Sequence, residues 1–304
     1  MAYFSLTFLG VGAALPTLRH RPSAQAVEYR GRVMLFDCGE GTQLQLRKAG
    51  ISFHKISDIF ISHLHGDHFL GLPGLLSTLD LYEFGSTVTI HCFPDGIKFI
   101  RQFMGLFGRG SSLDLHYEPI DPKGGIVLDT NAFTVEAFPL EHRIADVGFV
   151  MREKPKMRHI DGEAVRFHQI PHYWMKRLQR GEDYVDPDGR VIANVLLTRD
   201  ADPCKSYAYC SDTAYTESII PYIKGVDVLY HEATYNNTLE HLAASRGHST
   251  AAQAATIANL ADVGDLYIGH FSQRIEDEDA FLMEARAIHP ATMLAREGLR
   301  VDII

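Results

Sequence analysis

The sequence predicts an α/β fold in which sheets and helices form layers. Short runs rich in Val, Ile, Phe and Tyr, typical of strands, alternate with segments whose apolar residues repeat at helical spacing. The chain has 304 residues, 46% of them apolar, which is enough for the core of one large domain or two modest ones. Because helices separate most of the strands, layered sheets are favoured over an all-β barrel.

The predicted elements follow one another along the chain. The first run, FSLTFL, alternates apolar and polar residues and is followed by the glycine turn GVG, so it is interpreted as the first strand. Strands are expected at residues 4–9, 33–36, 58–62, 87–92, 133–139, 206–210, 226–230 and 265–268. Helices are expected at residues 42–48, 69–82, 96–107, 216–223, 250–260 and 279–288.

Residues 151–199 interrupt this alternation and are interpreted as an inserted lobe. The segment is charged and weakly periodic, contains the only tryptophan, Trp174, and includes the turn-like sequence DPDG. Its first thirty residues contain eight basic and three acidic side chains, within a chain of net charge −9. The overall charge argues against a general polyanion-binding surface, whereas the local basic excess suits one. A solvated surface segment is the alternative.

The cysteines and the apolar segments predict a soluble cytoplasmic protein that has no membrane partner. The four cysteines show no CxxC spacing and are too sparse for the disulfide framework of a secreted protein. The apolar start of the chain lacks the basic residues of a signal peptide. No uninterrupted apolar run reaches the roughly 20 residues that a transmembrane helix needs.

The stretch IFISHLHGDHFL places four possible metal ligands directly after an apolar strand. His63 and His65 are two residues apart, so they point to the same side of an extended segment. Gly66 allows a sharp turn that brings Asp67 and His68 back toward them. This density favours two neighbouring cations, and imidazole with carboxylate suits zinc, manganese or iron. A surface histidine cluster is the alternative.

Further ligands are expected where other strands end. His142 follows FTVEAFPLE, Asp212 follows SYAYCS and His270 follows DLYIG. Strand ends of a layered α/β fold form a common rim at which ligand sites collect. A carboxylate is needed there to bridge two cations about 3.5–4 Å apart. For any one of these residues alone, a buried histidine or a capping aspartate is the favoured interpretation, whereas the three together with IFISHLHGDH form a coherent ligand set.

The stretch IFISHLHGDH resembles the HxHxDH signature of the metallo-β-lactamase superfamily. The resemblance implies a four-layer αββα sandwich over residues 1–304, with 151–199 as an inserted flexible arm. Lactamases, thioester hydrolases, phosphodiesterases and nucleases share this signature, so it does not define the substrate. Three further features together resemble ribonuclease Z, the endonuclease that removes the 3′ trailer of precursor tRNA: FLGVGAALPTLRHRPSA, LFDCGEGTQLQL, and HEATY with GHST and GHFSQR.

The resemblance implies two zinc ions per chain, with manganese or another divalent ion as a substitute. It assigns His63, His65 and His142 to one ion, Asp67, His68 and His270 to the other, and Asp212 as the bridge. Asp67 is also the implied general base toward a metal-bridging water, and a carboxylate beside two cations stays ionised. Asp37 is expected to orient a ligand histidine without touching metal.

The family places His248 and Glu232 beside the scissile phosphate. The imidazole is expected to bind a phosphate oxygen or protonate the departing oxygen, while the carboxylate fixes its tautomer and raises its pKa. From the residues alone, a helix N-terminal histidine beside a capping Ser249 or Thr250 is the favoured interpretation of His248. Glu232 is equally half of a strand-end pair with its neighbour.

The implied substrate contacts lie in two segments. Arg19 and Arg21, in the loop LPTLRHR, correspond to the family's reader of the tRNA acceptor end, and a charged surface loop is the alternative. The arm corresponds to the exosite that binds the tRNA elbow, but IPHYWMKRLQRGE replaces its usual glycine–proline motif. The basic and aromatic side chains of that stretch still suit RNA: Lys176, Arg177, Arg180, Tyr173 and Trp174.

The leading hypothesis is therefore a zinc-dependent endoribonuclease that acts on precursor tRNA and leaves a 3′-hydroxyl. The family is commonly homodimeric, with the arm of one subunit serving the active site of the other. A superfamily phosphodiesterase that acts on a small ester or cyclic nucleotide is the first alternative. An RNA-binding protein with only a structural metal site is the second, and it is disfavoured because no expected ligand or acid/base residue is missing.

Overall fold

The computed structural model describes residues 3–82, 87–107, 113–275 and 277–304. The chain divides into two compact units. The main unit consists of Met1–Asp129, Val135–Met151 and Ser206–Ile304, and the inserted unit consists of Thr130–Thr134 and Arg152–Lys205. No helix in the described ranges is long and apolar enough to cross a membrane.

The strands and helices occur in mixed order along the chain. The strands are β1 Phe4–Gly10, β2 Ala24–Tyr29, β3 Arg32–Cys38, β4 Ile56–Phe60, β5 Thr87–Cys92, β6 Asp114–Pro119, β7 Gly125–Asp129, β8 Phe133–Pro139, β9 Val147–Glu153, β10 His159–Ile160, β11 Tyr184–Val185, β12 Val191–Ile192, β13 Thr198–Arg199, β14 Ser206–Cys210, β15 Val228–Glu232, β16 Asp265–Gly269, β17 Thr292–Leu294 and β18 Arg300–Asp302. The α-helices are α1 Thr42–Lys48, α2 Gly66–Phe69, α3 Gly71–Leu81, α4 Pro94–Phe107, α5 Gly162–Phe167, α6 Met175–Gln179, α7 Ile220–Ile223, α8 Glu240–Arg246, α9 Ala251–Leu260 and α10 Glu278–Arg286.

The first large sheet has the strand order β18-β1-β2-β3-β4-β5-β6. Its β1, β2 and β3 are antiparallel neighbours, whereas β3 to β6 run parallel. The apolar faces of α1, α3 and α4 pack on this sheet, and one buried cluster includes Leu46, Leu76 and Ile100 of these helices with Leu35 and Ile90 of the strands. Burial of the sheet on both faces explains the continuous apolar run VMLF of β3.

The second large sheet has the strand order β17-β16-β15-β14-β9-β8-β7, and β14 to β17 run parallel. Helix α9 packs on β15 and β16 through small buried side chains such as Ala254 and Ala258. The helix begins at a capping box. The side chain of Thr250 accepts a hydrogen bond from the backbone N–H of Gln253, and the side chain of Gln253 accepts one from the backbone N–H of Thr250.

Aromatic side chains fill the space between the two sheets. The ring of Phe36 lies 5.7 Å from that of Phe149 and 6.0 Å from that of Tyr207. The ring of Phe8 lies 5.9 Å from that of Tyr230. Helices on the outer faces and sheets in the middle give four layers, so the predicted αββα sandwich is confirmed.

The inserted unit has a small core of its own. It contains α5, α6 and two two-stranded sheets, β10-β13 and β11-β12. Six buried side chains form the core: Ile170, Trp174, Leu178, Tyr184, Ile192 and Leu197. The lobe predicted at 151–199 shares residues 152–199 with this unit.

The structure differs from the predicted elements in several places. The helix expected at 69–82 is divided into α2 and α3, and the strand expected at 226–230 is β15, which extends to Glu232. The helix expected at 216–223 is a 3₁₀ turn followed by the one-turn helix α7, which starts beside Pro221 because proline has no amide hydrogen to donate. Strands β2, β6, β7, β9 to β13, β17 and β18 were missed, and six of them are only two or three residues long.

Candidate metal centre and catalytic site

The candidate ligands lie at the ends of strands from both large sheets. His63 and His65 follow β4, and His65 is the N-cap of the short helix α2, which contains Asp67 and His68. Three more candidates follow other strands: His142 follows β8, Asp212 follows β14, and His270 follows β16. The sandwich therefore brings together segments that are far apart in sequence, as the strand-end argument predicted.

The first group of ligand atoms comprises nitrogens of three histidines and one aspartate oxygen. The Nδ1 atom of His65 lies 3.0 Å from Nε2 of His63 and 3.3 Å from Nε2 of His142. The Oδ2 atom of Asp212 lies 3.7 Å from Nε2 of His63 and 4.0 Å from Nε2 of His142. Zinc bonds of about 2.0–2.1 Å place tetrahedral ligand atoms roughly 3.3–3.4 Å apart. The spacing of this group fits a single ion.

The second group is formed by Asp67, His68 and His270. The Nε2 atoms of His68 and His270 are 3.3 Å apart, and they lie 3.6 and 3.5 Å from Oδ2 of Asp67. The other oxygen of Asp212, Oδ1, lies 3.4 Å from Nε2 of His68 and 3.1 Å from Nε2 of His270. This oxygen is buried and makes no hydrogen bond of good geometry within the described residues. Asp212 thus presents one oxygen to each group, the arrangement that a bridging carboxylate requires.

The second ring nitrogens of these histidines are held by polar partners. A metal-binding histidine normally donates its other N–H to an acceptor, which fixes the ring. The Nδ1 atom of His142 lies 2.7 Å from the carbonyl oxygen of Gly247, and Nδ1 of His270 lies 2.8 Å from Oγ1 of Thr234. The rings are therefore oriented by the protein itself.

Asp37 holds His68 and joins the two sheets. Its Oδ2 atom lies 2.6 Å from Nδ1 of His68 and accepts hydrogen bonds from the hydroxyls of Ser62 and Tyr209. Its Oδ1 atom accepts from the backbone N–H of Ser62. Asp37 has a φ of 58°, a left-handed conformation that is uncommon outside glycine. Asp37 therefore contacts Nδ1 of His68, whereas Nε2 of the same ring belongs to the second ligand group.

Charges around the site keep its carboxylates ionised. Burial favours the neutral form of Asp67, but His68 and His270 hold its pKa below the usual value. Burial opposes the ionisation of Asp212 in the same way, yet His270, His68 and His248 hold its pKa well below the usual value. Both aspartates therefore carry the negative charge that cation binding needs.

Glu232 and His248 form a hydrogen-bonded pair beside the ligand groups. The Oε1 atom of Glu232 lies 3.1 Å from Nδ1 of His248 and also accepts from the backbone N–H groups of Thr213 and Ser249. Its Oε2 atom accepts from the backbone N–H and the hydroxyl of Thr234. Burial disfavours the charged imidazole, but the carboxylates of Glu232 and Asp212 raise the pKa of His248 to about 9.

A cavity of about 510 Å³ opens over both ligand groups and His248. Three arginines line it as well: Arg143, Arg246 and Arg274. Sequence reasoning missed them, although each lies within four residues of a candidate site histidine, in EHR, SRGH and GHFSQR. Their guanidinium groups give this cavity a positive wall, which suits a phosphodiester.

Comparison with known proteins places these features in a family. The chain is 44% identical to ribonuclease Z of Parabacteroides distasonis over 304 residues, which covers 100% of both chains. It is 43% identical to ribonuclease Z of Bacteroides fragilis over 306 residues, again with full coverage of both. The chain belongs to the ribonuclease Z family. In this member of the ribonuclease Z family, the cluster of histidines and aspartates serves divalent metal binding.

Solved structures support the ribonuclease Z assignment. The short form of human tRNase Z aligns with a TM-score of 0.71 and 27% identity, covering 99% of each chain. The metallo-β-lactamase fold protein YhfI from Bacillus subtilis aligns with a TM-score of 0.69 and 19% identity over 98% of each chain, which shows a shared fold. A family model described as anti-Pycsar protein Apyc1 matches residues 4–98.

The two arginines expected to contact the tRNA acceptor end are engaged within the protein. The guanidinium of Arg19 lies 3.0 Å from Oε1 of Glu278 and donates to the carbonyl of Ile275. The guanidinium of Arg21 donates to the carbonyl of Thr17. Any RNA contact by this ribonuclease Z chain through Arg19 and Arg21 must therefore share or replace these internal partners.

The basic residues of the arm lie on the surface of the inserted unit. Lys176, Arg177 and Arg180 are exposed, and Arg177 pairs with Glu182 at 2.6 Å. The expectation that Trp174 stacks on RNA is wrong, because its side chain is buried in the core of the unit, with Arg177 over its ring at 3.7 Å. Tyr173 is 74% exposed and is still positioned for stacking.

Proposed function

We propose that this ribonuclease Z family chain cleaves precursor tRNA with two zinc ions and removes the 3′ trailer, leaving a 3′-hydroxyl on the tRNA. Processing of tRNA 3′ ends by an endoribonuclease follows from full-length relatives named ribonuclease Z. The pairing of Glu232 with His248 beside two groups of candidate ligands carries the chemical part of the proposal.

The proposed metal ligands are the two groups described above. His63, His65 and His142 would hold one ion, Asp67, His68 and His270 would hold the other, and Asp212 would offer one oxygen to each. Zinc is favoured because imidazole and carboxylate ligands at tetrahedral spacing suit it, and manganese can substitute. Two bound cations lower the pKa of a coordinated water and neutralise charge that develops on the phosphate.

Asp67 is the proposed general base. Its Oδ2 atom accepts a hydrogen bond of 2.7 Å from the backbone N–H of Ala14, which fixes the carboxylate at the edge of the cavity. Because its low pKa makes it a weak base, the carboxylate acts mainly by orienting the attacking water.

His248 is the proposed general acid. Its Nδ1 atom is paired with Glu232, so the imidazolium form is stabilised and its Nε2–H remains available to the substrate. When water attacks the phosphorus, Asp67 takes up the proton that the water releases, and the bond to the 3′-oxygen of the tRNA breaks. This oxygen takes the proton from Nε2 of His248, and the phosphate stays on the 5′ end of the released trailer. Glu232 is the positioning residue. It accepts the Nδ1–H of His248, so that Nε2 is the nitrogen that carries the donated proton.

Substrate binding uses the cavity wall and the inserted unit in this proposal. Arg143, Arg246 and Arg274 contact phosphates next to the scissile bond, while Arg19 and Arg21 contact the acceptor end. The exposed Lys176, Arg177 and Arg180 of the arm bind the tRNA elbow. We further propose a homodimer in the cytoplasm, and the unpaired cysteines of the described residues are consistent with a reducing compartment.

Cleavage of a precursor tRNA with a 3′ trailer tests the activity. The wild-type chain, loaded with zinc, is expected to release the trailer in one cut and to leave a 3′-hydroxyl, which end-mapping detects. A matched substrate without a trailer serves as the control. Metal analysis of the same preparation is expected to give about two zinc ions per chain. A metal-loaded chain that leaves the precursor intact contradicts the proposal.

Deletion of residues 154–190 separates the tRNA activity from a small-ester phosphodiesterase. The shortened chain is expected to lose precursor cleavage and to keep hydrolysis of bis(p-nitrophenyl) phosphate, because the ligand groups lie outside the deleted segment. Unchanged precursor cleavage contradicts the proposed role of the arm. Sedimentation of the wild-type chain, measured in parallel, determines whether it is a dimer.

A further inference from the structure

Asp146 is a buried acidic residue that the proposed mechanism does not use. It lies in the loop between β8 and β9, four residues after the candidate ligand His142. Two backbone hydrogen bonds hold the loop: the N–H of Leu140 donates to the carbonyl of Asp146, and the N–H of Val147 donates to the carbonyl of Ser62, both at 3.1 Å. The second bond fastens the loop to the residue that precedes His63.

The carboxylate of Asp146 faces the side of His63 that is turned away from the other ligands. Its Oδ2 atom lies 3.1 Å from Nδ1 of His63, and both side chains are fully buried. The opposite nitrogen, Nε2, is the one that lies 3.0 Å from Nδ1 of His65. Asp146 therefore contacts Nδ1 of His63, whereas the other ring nitrogen, Nε2, belongs to the first ligand group.

Neither oxygen of Asp146 makes a hydrogen bond of good geometry within the described residues. A buried carboxylate without such bonds destabilises a fold, so its presence requires an explanation other than packing. His63 is the group nearest to it among the ion pairs described, and a carboxyl oxygen can accept an imidazole N–H in either protonation state.

Ser62 is the other group next to Nδ1 of His63, with its Oγ atom at 3.0 Å. That hydroxyl donates its hydrogen to Asp37 and lies 2.8 Å from the hydroxyl of Ser211. It is thus shared among several partners, whereas Asp146 is paired with His63 among the ion pairs of the described residues.

We propose that Asp146 is a positioning residue that accepts the Nδ1–H of His63, so that Nε2 carries the free lone pair and points toward the first metal site. The inference rests on the proposed metal binding by His63. Carboxylates behind metal-binding histidines typically change metal affinity by 10–100-fold when they are removed. One loop thereby supplies both a ligand, His142, and the residue that orients a second ligand.

Zinc binding by the full-length chain tests this role. Metal-free wild type, Asp146→Ala and Asp146→Asn are titrated with zinc in competition with a fluorescent chelator, and the thermal unfolding of each metal-free protein is recorded. Asp262→Asn is the matched control, since Asp262 is an exposed aspartate whose φ of 54° asparagine also adopts readily.

Asp146→Ala is expected to lower the affinity for one of the two zinc ions by about 10–100-fold and to leave the affinity for the other unchanged. Asp146→Asn, which keeps an acceptor oxygen, is expected to recover part of the affinity. The metal-free Asp146→Ala protein is expected to unfold at or above the wild-type temperature, because an unpaired buried carboxylate has been removed.

Wild-type zinc affinity in Asp146→Ala overturns the inference. An equal loss of affinity for both zinc ions, together with a lower unfolding temperature, also overturns it, because that result indicates a packing role for Asp146. A wild-type chain that binds no zinc overturns the proposed metal chemistry as well, so the two failures are distinguished by the wild-type titration.

Discussion

The Oε1 atom of Glu232 lies 3.1 Å from Nδ1 of His248, and the carboxylate is buried while the imidazole borders the cavity. The last residue of a strand thereby orients a histidine located sixteen positions further along the chain. The other oxygen of Glu232 accepts from Thr234, whose Oγ1 atom lies 2.8 Å from Nδ1 of the candidate ligand His270. A single carboxylate thus holds both the proposed acid and a proposed metal ligand in place.

Substitution of His248 is expected to affect catalysis without loss of metal. His248→Ala removes the proposed proton donor, so turnover on precursor tRNA is expected to fall by ~10²–10⁴-fold. Its zinc content should remain at the wild-type value, because neither proposed ligand group includes His248. Its ring belongs only to a third, overlapping group with Asp212 and His270. His241→Ala, which removes an exposed histidine of α8, is the control. Wild-type turnover in His248→Ala contradicts the acid role.

The ion pair of Glu232 and His248 should also make the stability of the metal-free protein depend on pH. The pKa of His248 is raised to about 9, above the roughly 6.5 expected in an unfolded chain. The imidazolium therefore stabilises the fold fully below about pH 6.5, and this contribution is lost as the pH rises through about 9. This contribution to the free energy of unfolding is about 3 kcal/mol. Urea unfolding of wild type and His248→Ala between about pH 6 and pH 10 measures it, and a pH-independent difference between the two contradicts the prediction.

Asp212 is expected to be necessary for both ions. Each of its oxygens faces one ligand group, so Asp212→Ala removes a ligand from both and is expected to lower zinc content below one ion per chain. The metal-free variant is expected to be less stable but to keep its secondary structure, because the substitution removes a carboxylate that His270, His68 and His248 hold in its charged form. Metal analysis after dialysis, with circular dichroism of the same sample, checks both statements. Retention of two ions shows that Asp212 is not the bridge.

Gly247 is expected to be necessary for the placement of His142. Its φ is +71°, and a Cβ atom there lies 3.0 Å from Nδ1 of His142. Gly225 is a matched control with φ +64° and no atom within 4 Å of the added Cβ. Both glycine-to-alanine variants should lose about 1–2 kcal/mol of stability through backbone strain. Gly247→Ala alone should also bind zinc more weakly, and equal zinc affinity in the two variants contradicts this role.

The cysteines should differ sharply in reactivity. Burial raises the pKa of the Cys38 and Cys92 thiols to about 12, and burial also raises that of Cys210. Cys204 is exposed. Because the thiolate is the reactive form, a thiol reagent at about pH 8 should label Cys204 first in the native protein and all four cysteines after denaturation. Rapid labelling of Cys38 in the native protein contradicts this expectation.

Local patterns were sufficient to predict part of the fold and the site. The first strand, helix α1 and helix α9 with its capping Thr250 lie where the apolar spacing placed them. The spacing of IFISHLHGDH was enough to predict a dense ligand cluster after β4, because residues within one turn of chain stay close in any fold. Helix ends and partly polar strands were less predictable, since tertiary burial outweighs weak local preferences there.

Partners distant in sequence could not be predicted in the same way. Nothing in the local sequence of Asp146 indicates His63 as its neighbour, and nothing around Trp174 indicates that its ring is buried. Arg19 likewise resembled a free cation until its pairing with Glu278 was seen. Each of these contacts joins segments that approach only after the layers have packed.

The sequence by itself determined the family, the layered fold and the residues able to bind metal, because these depend on residue types, short spacings and strand-end positions. Only the tertiary structure decided which atoms face each other. It turned one oxygen of Asp212 toward each ligand group, joined Glu232 to His248 and placed Asp146 behind His63. The physical reason is that the sandwich packs two sheets whose strand ends meet, so contacts between their loops depend on register and packing across the whole chain.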